Sequence, residues 1–391
     1  MIRLGSASPV TTRVSVRPQL LRWACERGHI QPEALAQRFP RFAEWETGEK
    51  QPTLRQLEAF ARASRTPIGF FFLSEPPKER IPIPDFRTIA DKPVGRPSAD
   101  LLDTIYLCQQ RQAWYRENAR MEGEPPLDFV GSASRSDAIE AVADQIRTAL
   151  RFDLEERRRL SSWAAALRRF IDQANDLGVL VMVSGVVGSN NRRRLDYREF
   201  RGFALADDLA PVIFVNGTDS KAAQMFTLAH ELAHIWLGES ALSDSEDRVV
   251  PDHGTERFCN QVAAEILAPL HVVRDEHRAA APIQTETSRL ARRFKVSTLV
   301  VLRRLHELGA LTRQQYRDAY NEELNRLRAI AQNSGGNFYA SAGARVSKRF
   351  ARAVLAATLE GRSSYTDAFH LLGFRKMATF TKRSRRLGLT S

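Results

Sequence analysis

The chain has 391 residues, 43% hydrophobic and 27% charged, an ordinary globular balance with apolar material enough for two or three packed domains. The opening MIRLGSASPVTTRVSV lacks an apolar signal region, and no run reaches the roughly 18 apolar residues of a membrane span, so a cytoplasmic protein is expected. Three cysteines (Cys25, Cys108, Cys259), far apart and without a C-x-x-C pair, argue against a disulfide framework or a cysteine-based zinc cluster, and the net charge of +12 calls for an acidic partner.

From Arg17 to about Phe72 the apolar spacing is helical in short pieces: Leu20/Leu21/Ala24, Leu35/Ala36/Phe39, Phe42/Trp45, Leu54/Leu57/Phe60/Ala61 and Ile68 to Leu73. This predicts a bundle over 15–75, with Trp23 and Trp45 in its core. The stretch 76–97, with Pro76-Pro77 and Ile81-Pro82-Ile83-Pro84-Asp85, is read as an extended linker, because each proline removes a donor and restricts its predecessor. Longer helical patterns follow near 98–121, 134–150 and 161–177, with breaks at Gly123 to Pro126 and around Arg157.

The period then changes. Val179 to Val183, Phe200 to Leu205 and Pro211 to Val215 are short β-branched or aromatic runs bounded by Gly, Asn and Asp, which predicts a small sheet. A strong helix follows from about Asp219 to Leu237, stopped by Gly238, and another from about Thr255 to Leu267, stopped by Pro269. The zinc-motif domain is drawn over 98–275, a helical extension over 276–332, and a basic helical domain over 340–391 after a looser stretch at Asn333 to Ser341. Between Ser341 and Ser391 eleven Lys or Arg face only Glu360 and Asp367, so most of the net positive charge sits there.

The first strong helix holds His230-Glu231-Leu232-Ala233-His234. At 3.6 residues per turn the two imidazoles fall on one face a single turn apart, within reach of one cation, and Glu231 is rotated by about 100° from His230, placed as a base rather than a ligand. A catalytic zinc (Zn2+) commonly takes three protein ligands and keeps one open position. Candidates for the third are Glu239, Asp244, Glu246, Asp247, Asp252, His253, Glu256 and Glu265. Those from Glu239 to His253 lie in an acidic, Ser-rich segment that reads as a loop, harder to hold to metal-bond precision. Glu256 opens the second helix, whose Phe258, Val262, Ala263 and Ile266 stripe packs it against the first, and it is the preferred ligand; Glu265 points elsewhere and braces the fold. Two His and a carboxylate would also accept Mn2+ or Fe2+.

These residues resemble the ImmA/IrrE-type metallopeptidases, in the version with an Xre-like helix-turn-helix at the N-terminus. The resemblance is carried by EFRGFAL (Glu199 to Leu205), PVIFVN (Pro211 to Asn216), FTLAHELAHIWLG (Phe226 to Gly238) and ERFCNQVAAEILAP (Glu256 to Pro269), and at the N-terminus by PQLLRWACERGH, WETGEKQPTLRQLEAFA and PIPDFRT, so it covers most of 15–310. It implies His230, His234 and Glu256 as zinc ligands and Glu231 as catalytic base. The fold expected is α+β and mostly helical: a helix-turn-helix bundle, a minimal zincin of small sheet plus HExxH helix, and a helical C-terminal region. The function expected is a zinc-dependent endopeptidase that cleaves a repressor or another regulatory protein to control transcription or a stress response. The alternative is an antitoxin or transcriptional regulator that binds DNA and a cognate toxin.

Three contact surfaces complete the reading. Pro211, Val212, Ile213, Phe214 and Val215 are taken as an edge strand that binds an extended substrate by strand addition, with plain core as the equal alternative. In the N-terminal bundle Arg38, Arg41 and Lys50 face Glu44, Glu46 and Glu49, a weak footprint for the phosphates of double-stranded DNA. Leu290 to Gly309 and Ala368 to Gly388 each resemble a helix-turn-helix unit, and in the second Arg375, Lys376, Lys382, Arg383, Arg385 and Arg386 are assigned to DNA or an acidic partner.

Overall fold

A computed structural model describes residues 12–28, 30, 32–79, 81–84, 97–243, 254–333 and 345–389. These divide into two units, one made of the described residues up to Pro82 together with 97–103, the other of the remainder. The fold is α+β and mostly helical, with one small sheet in the middle of the chain.

In the first unit, helices α1 (Pro18–Arg27), α2 (Pro32–Arg38), α3 (Phe42–Thr47) and α4 (Leu54–Ala63) are followed by a 3-10 turn at Ile68–Phe72. Their apolar stripes meet around Phe60, whose ring centroid lies 5.5 Å from Phe39, 5.4 Å from Phe42 and 5.6 Å from Phe71. Trp23 and Trp45 are buried in the same cluster. A capping box starts α4: the Thr53 hydroxyl accepts from the Gln56 N–H, and the Gln56 side chain accepts from the Thr53 N–H.

The second unit begins with α5 (Ala99–Glu122, which it shares with the first), α6 (Ile139–Leu150), α7 (Leu154–Arg159) and α8 (Trp163–Leu177). The sequence reading put a break where α7 stands. The polar run Glu155 to Arg159 hides a helix that Asp153 caps through the Glu155 N–H, and Arg157 turns inward, donating to the Lys295 carbonyl and the Met225 sulfur. A guanidinium over a helix C-terminus sits in the favourable end of its dipole.

Strands β1 (Leu180–Ser184), β2 (Gly202–Leu205), β3 (Val212–Asn216) and β4 (Ala241–Ser243) form a mixed sheet in the order β1-β3-β2-β4. β3 runs parallel to β1, with Leu180 opposite Val212, and antiparallel to β2, with Gly202 opposite Val215. β4 pairs antiparallel with β2, Ser243 facing Gly202. This corrects the assignment of Pro211 to Val215 as an edge strand. β3 is hydrogen-bonded on both sides and buried along its length, so it has no free edge to offer a peptide. The run of apolar residues is the signature of a strand covered on both faces, not of one at the rim.

Helix α9 (Lys221–Leu237) lies against β2 and β3, and α10 (Gly254–Leu267) packs against α9. α9 is apolar nearly all round because it is enclosed, and the small residues Ala263 and Ala264 of α10 sit in the same core. α11 (Leu270–Glu276), α12 (Ile283–Phe294), α13 (Thr298–Glu307) and α14 (Arg313–Asn333) complete this body, and α15 (Lys348–Leu359), α16 (Tyr365–Leu372) and α17 (Met377–Arg386) form the C-terminal module. The α12–α13 pair does turn through Lys295 in a left-handed conformation, as a helix-turn-helix would. Its second helix is anchored in the core through Leu299, Val301, Leu302, Arg304 and Leu305.

A buried ion pair locks α10 to α13. Arg304 donates to the Glu265 carboxylate and to the Ala268 carbonyl, 2.8 Å away, while Glu265 also accepts from the Leu270 N–H. Glu265 thus braces the fold, as its offset from Glu256 predicts. Removing one partner strands a buried charge, which typically costs about 3–5 kcal/mol. Arg304→Met is therefore expected to lower unfolding free energy by about that much in a denaturant titration, and Arg304→Met with Glu265→Gln by clearly less. With Glu265→Gln measured alongside, a double-variant loss equal to the sum of the two single losses would show that the pair carries no coupling.

Candidate metal centre

The site is built by one tight helix pair. Ser220 caps α9 by accepting from the Ala223 N–H, and the helix carries His230, Glu231 and His234 into the interior, each at most 4% exposed. α10 brings Glu256 in its first turn to meet them. The His230 Nε2 lies 3.2 Å from one Glu256 oxygen, the His234 Nε2 lies 3.1 Å from the other, and the two Nε2 atoms are 3.1 Å apart. Zinc bonds of about 2.0–2.1 Å at tetrahedral angles separate neighbouring donors by roughly 3.3 Å, so the two imidazole nitrogens and the Glu256 carboxylate are spaced as ligands around one ion. Among the described residues this is the one group of three His, Cys, Asp or Glu placed to hold a metal ion. The donors fit zinc: two imidazoles and one carboxylate.

Electrostatics favours a cation at this point. Burial draws the His230 pKa down, but the Glu256 carboxylate beside it wins and pushes it up to about 8. Burial, together with the charge on His230, holds His234 below its ordinary value. Burial raises Glu256, yet the two imidazoles outweigh it and hold the carboxyl far below the usual carboxylate range. A carboxylate in this setting stays ionised, His234 is held neutral, and a bound cation would take the place of the proton that Glu256 holds on His230. Cys259, in the same helix as Glu256, is not a competitor: burial first, then the carboxylates of Glu256 and Glu231, push its thiol well up, so it remains protonated.

Two residues that the sequence reading passed over complete the centre. Asn260, one turn beyond Glu256, places its Oδ1 3.0 Å from the His230 Nδ1. The amide oxygen accepts, which fixes the proton on Nδ1 and leaves the Nε2 lone pair facing Glu256 and His234. Gly202 on β2 is the other. A Cβ there would stand 3.0 Å from a Glu231 carboxylate oxygen, 2.8 Å from the Phe214 carbonyl and 2.5 Å from the Thr227 methyl. Only glycine lets the strand approach the base so closely. The signals were present: a ligating histidine needs a partner for its second nitrogen, and a glycine inside a strand marks a close backbone approach.

The other predicted residues fall elsewhere. Asp244, Glu246, Asp247, Asp252 and His253 lie outside the described residues, and Glu239 stands just past the end of α9, its N–H bonded to the His234 carbonyl. Arg38 and Arg41 line a cleft of about 460 Å³ in the first unit with Arg55, Phe39 and Trp45. Lys50 is tied to Glu44 at 2.9 Å, so it is poorly placed to serve a phosphate. Arg375, Lys376, Lys382, Arg385 and Arg386 are exposed on the C-terminal module, and Arg383 is half-buried.

Comparison with known proteins singles out the same segment. Residues 174–306 match the family model described as the IrrE N-terminal-like domain, and residues 346–386 match that of a domain of unknown function. The chain is 35% identical over 104 residues to a radiation response metalloprotease, IrrE, of Deinococcus deserti; the match takes in 25% of this chain and 37% of that protein. The chain thus spans little more than a third of that curated relative. No solved structure matches it.

Loss of the Asn260 amide frees the His230 ring to rotate. Partners of this kind usually contribute 10–100-fold to metal affinity. For Asn260→Ala a chelator-competition titration is expected to show zinc affinity reduced by roughly that range, and an unchanged dissociation constant would remove Asn260 from the centre.

Proposed function

We propose that the chain, whose residues 174–306 match the IrrE N-terminal-like domain, is an ImmA/IrrE-type zinc-dependent endopeptidase that cleaves a regulatory protein and so controls transcription or a stress response. The observation that carries this reading is the meeting of His230, His234 and Glu256 around one point, with Glu231 fully buried on the same helix against Gly202. A purely structural site closes its fourth position with a protein ligand and has no use for a carboxylate held next to it.

The two histidines and Glu256 would hold the ion. Bound there, zinc supplies Lewis acidity toward the scissile carbonyl and toward water. Glu231 takes the proton from the attacking water and delivers it to the leaving amine nitrogen, general base and then general acid. Asn260 keeps the His230 tautomer fixed through the cycle, and the apolar wall of β2, β3 and α9 excludes bulk water, which strengthens every charge interaction inside.

With β3 interior, substrate docking moves to the outer edge of β4. Ser243 of that strand lies opposite Gly202, itself against Glu231, so an extended peptide added there would run two strand spacings, roughly 10 Å, from the strand that touches the base. The edge already accepts such a neighbour: the Leu242 N–H donates to the Pro84 carbonyl at 3.0 Å, and Ile83 is buried. A substrate strand would have to replace these residues of the proline-rich stretch.

Glu231→Gln keeps the shape of the side chain and removes the base. Zinc-loaded wild type and variant would each be incubated with a proteome of the host, and new amino termini read by terminal labelling. The account expects a small set of cuts made by wild type, absent with Glu231→Gln and with chelator, while zinc content stays equal. Identical patterns in all three would discard the peptidase reading and favour a binding role.

A further inference from the structure

The C-terminal module sorts its charges by side. Towards the rest of the second unit, each cation meets a partner: Lys348 pairs with Asp172 at 2.6 Å, Arg349 with Glu124 at 2.8 Å and Arg362 with Glu122 at 2.7 Å. Buried polar contacts add to the clasp, with Arg111 donating to the Leu371 carbonyl at 2.9 Å and Ser347 to Asn175. On α17 the pattern reverses. Arg375, Lys376, Lys382, Arg383, Arg385 and Arg386 enter no ion pair among the described residues. The module's two acids are engaged elsewhere, Glu360 with Arg362 and Asp367 at the Ser364 cap of α16. Burial, and then the neighbouring charge of Arg386, hold the Arg383 guanidinium below its ordinary value, as expected where cations crowd without an anion.

The geometry gives that surplus a shape. α16 and α17 are joined by the four residues Gly373 to Lys376, with Gly373 at φ 68°, and their inner faces meet through Phe380, whose ring lies 5.1 Å from Tyr365 and 6.1 Å from Phe369. α15 packs against both. Two helices set by a short glycine turn and backed by a third are the arrangement of a helix-turn-helix. On α17 Phe380 and Ser384 point inward, while Ala378, Thr381, Lys382 and Arg385 form an exposed stripe at the spacing of one helix face. Beside the turn lies the loop after β1: a Cβ on Gly373 would come within 3.2 Å of Ser189, and this loop carries the exposed Arg192.

We propose that α17 is the reading helix of a double-stranded DNA-binding surface, with Thr381, Lys382 and Arg385 facing the major groove and Arg375, Lys376, Arg386 and Arg192 on the flanking phosphates. Charge complementarity selects a polyanion, and shape selects among polyanions. A ten-residue helix fits the wide major groove of B-form DNA. The deep, narrow major groove of A-form RNA shuts it out. An acidic protein partner is disfavoured by the stripe's composition, since protein interfaces deplete lysine and centre on large apolar anchors, whereas Ala378, Thr381, Lys382 and Arg385 supply none and Met377 stands only at the stripe's border. The inference does not rest on the peptidase reading, and the two can fail separately.

The test uses the full chain, zinc-loaded, and fluorescence anisotropy with a labelled mixed-sequence DNA duplex across a salt series. Wild type is expected to bind with a steep loss of affinity as salt rises. Each phosphate contact contributes about 0.9 to the slope of log affinity against log salt. The triple variant Arg375→Ala/Lys376→Ala/Arg386→Ala, which removes three of the phosphate-facing cations, should therefore flatten it by roughly three and weaken binding on the order of a hundredfold at moderate salt, with helicity by circular dichroism unchanged. Arg38→Ala/Arg41→Ala should bind as wild type does. If the triple variant loses helicity, Arg386→Ala alone decides the matter, with about one unit of slope at stake. The proposal is overturned if the duplex does not bind, if slope and affinity survive the substitutions, if the N-terminal pair abolishes binding instead, or if duplex RNA or polyglutamate binds as tightly as DNA.

Discussion

Everything that gives the second unit its chemical character follows from the approach of α10 to α9. A glutamate carboxylate is expensive to bury, and Glu256 is almost fully enclosed; two imidazoles at 3.1 and 3.2 Å compensate it by holding its charge in place. The same contacts keep the ring nitrogens converged. The cost of one buried anion is thereby turned into a ready-made arrangement of donors, and a divalent cation is the species that satisfies all three at once. The small side chains of Ala263 and Ala264 let the helices come close, and the Arg304–Glu265 pair fixes the far end of α10 so that its first turn stays in position.

The sheet serves this helix pair. β2 can pass beside Glu231 only at Gly202, and β3 presses a fully buried strand behind it. β4 is the outer strand on that side, and its Leu242 N–H donates to the Pro84 carbonyl.

Much of this was legible in the residues. Helical period, the Gly238 and Pro269 stops and the one-turn spacing of His230 and His234 placed α9 and α10 closely, and the apolar stripe beside Glu256 identified the helix whose carboxylate now sits between the two rings. What escaped was governed by pairing in three dimensions. A buried apolar strand reads alike whether it is inner or outer, so β3 was misplaced at the edge. Leu154–Arg159 looked like a loop because its one inward residue, Arg157, is charged and finds its partners at Met225 and Lys295, distant in sequence. Asn260 and Gly202 are ordinary in the sequence and acquire their roles only from what stands 3 Å away. The N-terminal cations illustrate the same limit in reverse: the sequence counts charges, while the Lys50–Glu44 pair shows which are already spent locally.

The central claim is that His230, His234 and Glu256 form one preassembled site for a single divalent ion. Elemental analysis of the purified chain after zinc loading and gel filtration, run beside His234→Ala, tests it most directly. The account predicts about one equivalent of zinc per chain in the wild type and close to none in the variant, with both proteins folded. Wild type that retains no metal, or His234→Ala that retains as much as wild type, would contradict it.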